Sequence, residues 1–382
     1  MNKDKIKLIL VKVNPFTISV AIEAYLKGIR NITFFDKEPL KYWQYPYIDL
    51  NKMMDTPVSM DLVSKNSLGR DYSLFRFINL NDKFPLSQSS IEKTKLRVSN
   101  KEFEHYLENS IESLKGYGIP FIEKEVKTIE KSYIKLEDDS STIFTHCVLG
   151  YENYEEIFPN TLKFLNIGDK RINHSVFNDI TPELKLKIGV IGTSNNILNF
   201  SNKLSELNIN NTIFFTKHYN TRNYELPSFE EWGLKSCYND YYKTIPSSHF
   251  KRRYIEKIKQ YPVGLKKELV KKMQIYLSNK KVNLLELNLI NNMNLLENIN
   301  KNDFLFLDLE KEYDISSIPI NIRLDKSEVF IKLPKLLPSY NSVNNLNIFF
   351  VGPFSMDQGG YYQCTLNSTG STSKSIIEEM IK

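Results

Sequence analysis

The sequence predicts an α/β chain with two Rossmann-like dinucleotide-binding domains, one inserted into the other. Three observations predict it. A β-turn-α-β unit opens the chain, a second begins near residue 185, and a late apolar strand runs into Gly-Pro and a terminal helix. The chain has 382 residues, enough for two to three domains at about 100–200 residues each.

The first unit starts with KIKLILVKV (5–13), a short apolar run of the kind a buried strand shows. After a Pro, TISVAIEAYLKGI has helical spacing, and NITFFD reads as a second strand. Asp36 ends that strand, where Rossmann domains place the acid that holds a ribose hydroxyl. A polar stretch (37–100) follows, then a helix over KEFEHYLENSIESLKGYG (101–118) and a β-meander through FIEKEVKTIEKSYIKLEDDSSTIFTHCVLGY. The second unit gives a strand (187–192), a turn, a helix (195–207) and a strand (212–216). SHFKRRYIEKIKQY and GLKKELVKKMQIYLSNK are helices by spacing, and core packing accounts for their apolar faces. NLNIFFVGPF is the late strand, and TSKSIIEEMIK the terminal helix.

Composition excludes several classes. At 41% hydrophobic and 25% charged, the chain is not disordered. No apolar run reaches the ~20 residues of a membrane helix, the N-terminus is too broken for a signal peptide, and a cytoplasmic protein is expected. Net charge is +6 from 51 basic and 45 acidic residues, with only KRR (251–253) clustered, so no nucleic-acid footprint is expected. Cys147, Cys237 and Cys364 are far apart without CxxC, and the five His show no ligand spacing; neither a metal site nor a dithiol centre is expected.

A dinucleotide loop needs glycines for its tight turn, for backbone approach to the pyrophosphate, and for helix-on-strand packing. In the first loop, Lys12, Asn14 and Thr17 occupy the three glycine positions, and Pro15 follows Asn14. Asn tolerates a left-handed backbone, Lys12 offers a charge to phosphate, and the helix N-terminus suits an anion. The second loop keeps Gly192 at the first position and has Ser194 at the second, followed by Asn195. Lys217 and His218 follow the next strand, where a 2′-phosphate of NADPH meets a cation; an exposed lysine explains Lys217 equally well.

Residues 43–80, WQYPYIDLNKMMDTPVSMDLVSKNSLGRDYSLFRFINL, resemble a stretch of the flavin-dependent N-hydroxylating monooxygenases, the lysine and ornithine N-monooxygenases of siderophore biosynthesis. Trp43-Gln44, Met54-Asp55-Thr56, Asp61-Leu62-Val63-Ser64 and Arg70 through Ile78 stand for that family's WH, MQ, DLVT and RxP…FSFLNYL. RVSNKEFEHYL (97–107), Cys147–Gly150, Asn173-His174-Ser175, Lys259-Gln260-Tyr261 and Leu366-Asn367-Ser368 keep the order of further family segments over nearly the whole chain.

The resemblance implies FAD and NADPH as cofactors, an amine as substrate, and dimers or tetramers. It implies an FAD-binding first part (1–180), a NAD(P)H-binding-like insert with a helical segment (181–285), and an FAD-binding C-terminal part (286–382). Trp43 and Asp55 fall beside the flavin, and Met60, Gln260 and Ser368 on the substrate side. Oxygen chemistry is then carried by the cofactor, which accounts for the lack of any triad or dyad. The departures are specific. Asp55 replaces the Gln of MQ, Met60 replaces the lysine that holds a substrate carboxylate, and ATGY is missing near FLFLDLEKEY (304–313). Two main readings stay open, an N-hydroxylating enzyme with an altered pocket and a non-catalytic relative acting as a binding or structural partner, beside other flavoprotein oxidoreductases such as ketone or sulfide oxygenases.

Overall fold

The computed structural model describes residues 3–43, 62, 74, 98–157, 171–172, 186–192, 195–215, 242–260, 267–286, 292–360, 363 and 366–382. The chain forms two compact units. One comprises Met1–Tyr154, Gly233–Ile255 and Tyr313–Lys382; the other comprises Glu155–Trp232 and Glu256–Glu312. The second unit is thus inserted in the sequence of the first. The expected boundary at 286 falls inside the insert, because the 304–308 strand pairs within the insert's sheet.

The first unit is built on strands β1 (Lys7–Val11), β2 (Asn31–Phe35), β3 (Phe121–Ile122), β4 (Val126–Ile129), β5 (Tyr133–Leu136), β6 (Ser141–Ile143), β7 (His146–Leu149), β15 (Asn341–Ser342) and β16 (Asn345–Phe350). Its main sheet runs β15-β16-β7-β1-β2-β3. β1 lies parallel to both β2 and β7, with Leu8 opposite Ile32 and His146. A strand covered on both sides has no polar face to offer, so Leu8, Ile9, Leu10 and Val11 are all buried. β4, β5 and β6 form the expected meander.

Helix α1 (Pro15–Leu26) is buried from Pro15 to Ala24 and packs on the C-terminal helix α7 (Leu366–Ile381), where Ser373 Oγ donates to Ser19 Oγ at 2.8 Å. α7 begins six residues before the expected start. Ser368, Thr369, Thr372 and Ser373 are buried in it, and a run of such small polar residues hid its helical period. Helix α2 (Asn100–Gly116) starts at a capping box of Ser99 and Glu102 and buries Phe103, Leu107, Ile111 and Leu114.

The inserted unit carries β10 (Ile188–Gly192), helix α3 (Asn195–Glu206), β11 (Asn211–Phe215), helix α5 (Lys267–Ser278), β12 (Val282–Glu286), helix α6 (Asn292–Asn300) and β13 (Phe304–Asp308). With β9 (Arg171–Ile172) its sheet runs β12-β11-β10-β13-β9, all parallel. A short antiparallel pair, β8 (Glu155–Ile157) with β14 (Glu310–Glu312), completes it. The stretch without the ATGY motif, 304–313, therefore supplies an inner strand of the parallel sheet, β13, and one strand of the antiparallel pair, β14. Helix α4 (Ser248–Gln260) belongs to both spans of sequence. No helix among the described residues is long and apolar enough to cross a membrane.

Candidate dinucleotide site

In a doubly wound sheet, ligands sit beyond the carboxyl ends of the strands where the order reverses. In the first unit that point lies at β1, between β2 and β7. A cavity of about 300 Å³ opens there, lined by the turns that follow those three strands and by Glu125.

The turn after β1 keeps the backbone a glycine would take. Lys12 has φ +72°, a left-handed conformation that costs an L-residue about 1–2 kcal/mol. Its side chain spans the cavity wall: Nζ lies 3.2 Å from Asp36 Oδ1 and 3.0 Å from Glu125 Oε1, 5.7 Å from the Tyr151 ring centre. Burial works to lower the pKa of this ammonium, but the Asp36 and Glu125 carboxylates outweigh it and hold the group above the ordinary lysine value. Lys12 is charged and already paired.

Asn14 is the N-cap of α1, and Pro15 takes the first helical position, a pairing favoured because proline lacks an N–H that would go unused. Asn14 Oδ1 accepts from the N–H groups of Phe16 and Thr17, both at 3.1 Å. Asn14 Nδ2 donates to the Gly150 carbonyl at 2.5 Å and to Glu152 Oε2 at 3.0 Å. Thr17 completes the capping box: Oγ1 accepts from Asn14 N at 3.1 Å and donates to the Lys12 carbonyl at 2.8 Å. Replacing Asn14 by Ala is expected to lower stability by about 1–2 kcal/mol through loss of the cap, read as a drop in thermal midpoint.

Asp36 is turned toward the chain. Its Oδ2 accepts from Val13 N at 2.8 Å, and its Oδ1 from Glu38 N at 3.2 Å as well as from Lys12. Trp43 packs edge-on against Phe16 and donates Nε1–H to Glu152 at 3.1 Å. Lys12, Asn14 and Asp36 thus line one cleft, and Thr17 and Trp43 are hydrogen-bonded to residues of its wall. Glu125 and Glu152, which hold them together, were not found from the sequence; no local pattern marks either. Four carboxylates (Asp36, Glu38, Glu125, Glu152) and two ammonium groups (Lys12, Lys41) are among the described lining residues. Lys41 is hydrogen-bonded to Glu38, and this lowers the Glu38 pKa.

In the inserted unit Gly192 ends β10 with φ +146°, and Asn195 opens α3. Gln260 is the last residue of α4, and Ser368 is buried in the first turn of α7. The side chains of Asn195 and Gln260, and all of Asp55, Met60, Ser194 and Lys217, lie outside the described residues. No group of three or more His, Cys, Asp or Glu among the described residues is arranged to hold a metal.

No sequence-family model matches this chain, and no curated protein sequence does. Solved structures do. DfoA from Erwinia amylovora, a cadaverine monooxygenase of desferrioxamine biosynthesis solved with FAD, superposes with a TM-score of 0.73 at 15% identity, over 98% of this chain and 94% of that one. The ornithine N-hydroxylase KtzI of Kutzneria sp. 744, with reduced FAD, NADP+ and L-ornithine, gives 0.73 at 13%, over 99% and 100%. This chain has the N-hydroxylating monooxygenase fold. The ornithine hydroxylase PvdA from Pseudomonas aeruginosa matches it as completely, with a TM-score of 0.71 at 13% identity over 98% of both chains.

In a doubly wound dinucleotide-binding unit, the turn after β1 is where a pyrophosphate would be received. The residues at this turn do not fit that group. The amides of Phe16 and Thr17 are taken by Asn14, position 15 has no amide hydrogen, and the Asp36 and Glu152 carboxylates are hydrogen-bonded to the same turn.

Proposed function

We propose that the protein is an oxidoreductase of the N-hydroxylating monooxygenase type, dependent on NADPH and FAD, that hydroxylates an amine nitrogen. Its setting is siderophore or other secondary-metabolite biosynthesis in the cytoplasm, with a small-molecule amine and further copies of the chain as its partners, and no nucleic acid or membrane. The observation that carries this reading is the end-to-end likeness to solved amine and amino-acid N-hydroxylases, which includes both the FAD-type unit and the insert.

Substrate class follows from Met60. It stands where the resemblance places a lysine for the substrate carboxylate, and losing such a charge-assisted bond costs about 1.5–3 kcal/mol. A diamine without a carboxylate, such as the cadaverine named for DfoA, suits this position better than ornithine or lysine. With FAD supplied, cadaverine is expected to exceed both amino acids in kcat/KM by at least roughly tenfold, measured as amine-dependent NADPH oxidation with hydroxylamine detection. Equal or better turnover of ornithine or lysine would sink the substrate assignment.

A second reading, a non-catalytic binding or structural partner, is favoured by one observation: the capped first loop with Glu152 beside it. A folded protein that oxidises no NADPH with any of these amines would favour that reading.

A further inference from the structure

We infer that the first dinucleotide loop is closed to pyrophosphate by the chain's own side chains, so that the ADP half of FAD adds nothing to flavin binding. The inference rests on the flavin reading above for its ligand, and on the loop's hydrogen bonds for its content.

Every backbone N–H from Lys12 to Ile18 has a partner within the protein. Lys12 N donates to the Phe35 carbonyl at 2.9 Å, and Val13 N to Asp36 at 2.8 Å. Asn14 N donates to Thr17 Oγ1 at 3.1 Å. Pro15 has no N–H. Phe16 N and Thr17 N donate to Asn14 Oδ1, and Ile18 N donates to the Asn14 carbonyl at 2.9 Å. A helix N-terminus binds phosphate through amides left free by the missing previous turn; here the free ones are already satisfied. Asn14 cannot swing aside cheaply, because its amide is tied to Gly150 and Glu152. The Glu152 carboxylate lines the same cavity as Lys12 and Asn14. Lys12 is the cation of this turn, and it is balanced by two carboxylates.

Two substitutions reopen the loop and leave the Lys12, Asp36 and Glu125 cluster in place. Glycine at position 14 remains a tolerated N-cap and frees the Phe16 and Thr17 amides, and glutamine at position 152 removes a negative charge from the cavity wall while its side-chain oxygen still accepts from Trp43. The test is a fluorescence titration of the protein with FAD and with riboflavin, beside Asn14→Gly and the double variant Asn14→Gly/Glu152→Gln. In the wild type, FAD is expected to bind within about threefold of riboflavin. In the double variant, FAD affinity is expected to rise at least tenfold with riboflavin unchanged.

Wild-type protein that retains one FAD per chain through desalting, or prefers FAD to riboflavin tenfold, would overturn the inference. So would a double variant, folded by circular dichroism, that gains no preference for FAD. Absence of binding of either flavin by the wild type would end the monooxygenase reading, and a gain of FAD binding in the double variant would still support the closed loop.

Discussion

Asp36→Ala is expected to lower the stability of the first unit by about 3 kcal/mol. The carboxylate is buried, with 4% of its side chain exposed, and it serves three donors. Removing it leaves the buried Val13 N–H without its acceptor, a loss of about 1–3 kcal/mol. It also takes away one of two counter-ions of Lys12. Breaking a fully buried pair costs about 3–5 kcal/mol, but Lys12 is 22% exposed and keeps Glu125, so only part of that penalty applies. Asp36→Asn retains an acceptor for Val13 and is expected to cost roughly half as much.

Urea unfolding of the two variants checks this, and equal losses would show that the ionic contact, not the amide cap, carries the effect. The pH dependence has a definite sign. The Lys12 pKa is raised on folding from 10.5, so its contribution is complete below that value and is lost as pH rises through the folded pKa. Lys12→Met should flatten that alkaline decline.

Gly192→Ala is expected to damage the inserted unit by about 3 kcal/mol or more. At φ +146° the backbone is one that L-residues rarely adopt. A Cβ there would run into the Asp308 backbone carbonyl, and would come within 2.9 Å of Ile197 Cγ1. Asp308 is the register partner of Gly192 on β13, so the clash falls on the central pair of the sheet and cannot be relieved by rotating a side chain. The insert is intermediate in size between domains that lose about 4–8 °C and about 2–4 °C per kcal/mol, so its melting midpoint should fall by roughly 12 °C. Hydrogen exchange should quicken in β10, β11 and β13 and remain slow in β1 and β7. Unchanged exchange in the insert would show that the turn relaxes around a methyl group.

The two β-turn-α-β units could be read directly from the residues, because a parallel strand buried on both faces must be apolar throughout. KLILV and IGVIG announce themselves that way. The start of α1 was equally local: Asn before Pro, with Thr three residues on, is a capping pattern. The sequence reading set those residues against a glycine fingerprint, whereas the structure uses them as a cap. The start of α7 was hidden because its first turns bury serines and threonines, which carry no apolar period.

The sequence by itself determined the fold class, the chain order of the two units and the position of the first loop, since each follows from patterns within some 30 residues. Tertiary structure decided what the loop can hold. Glu125 is 113 residues from Lys12, and Glu152 is 138 residues from Asn14. They reach the loop only through the sheet order: Glu152 follows β7, which pairs with β1 on one side, and Glu125 follows β3, which lies beyond β2 on the other. A carboxylate's field acts through space over a few ångströms, so the charge of the cleft is set by sheet order, which no local spacing encodes.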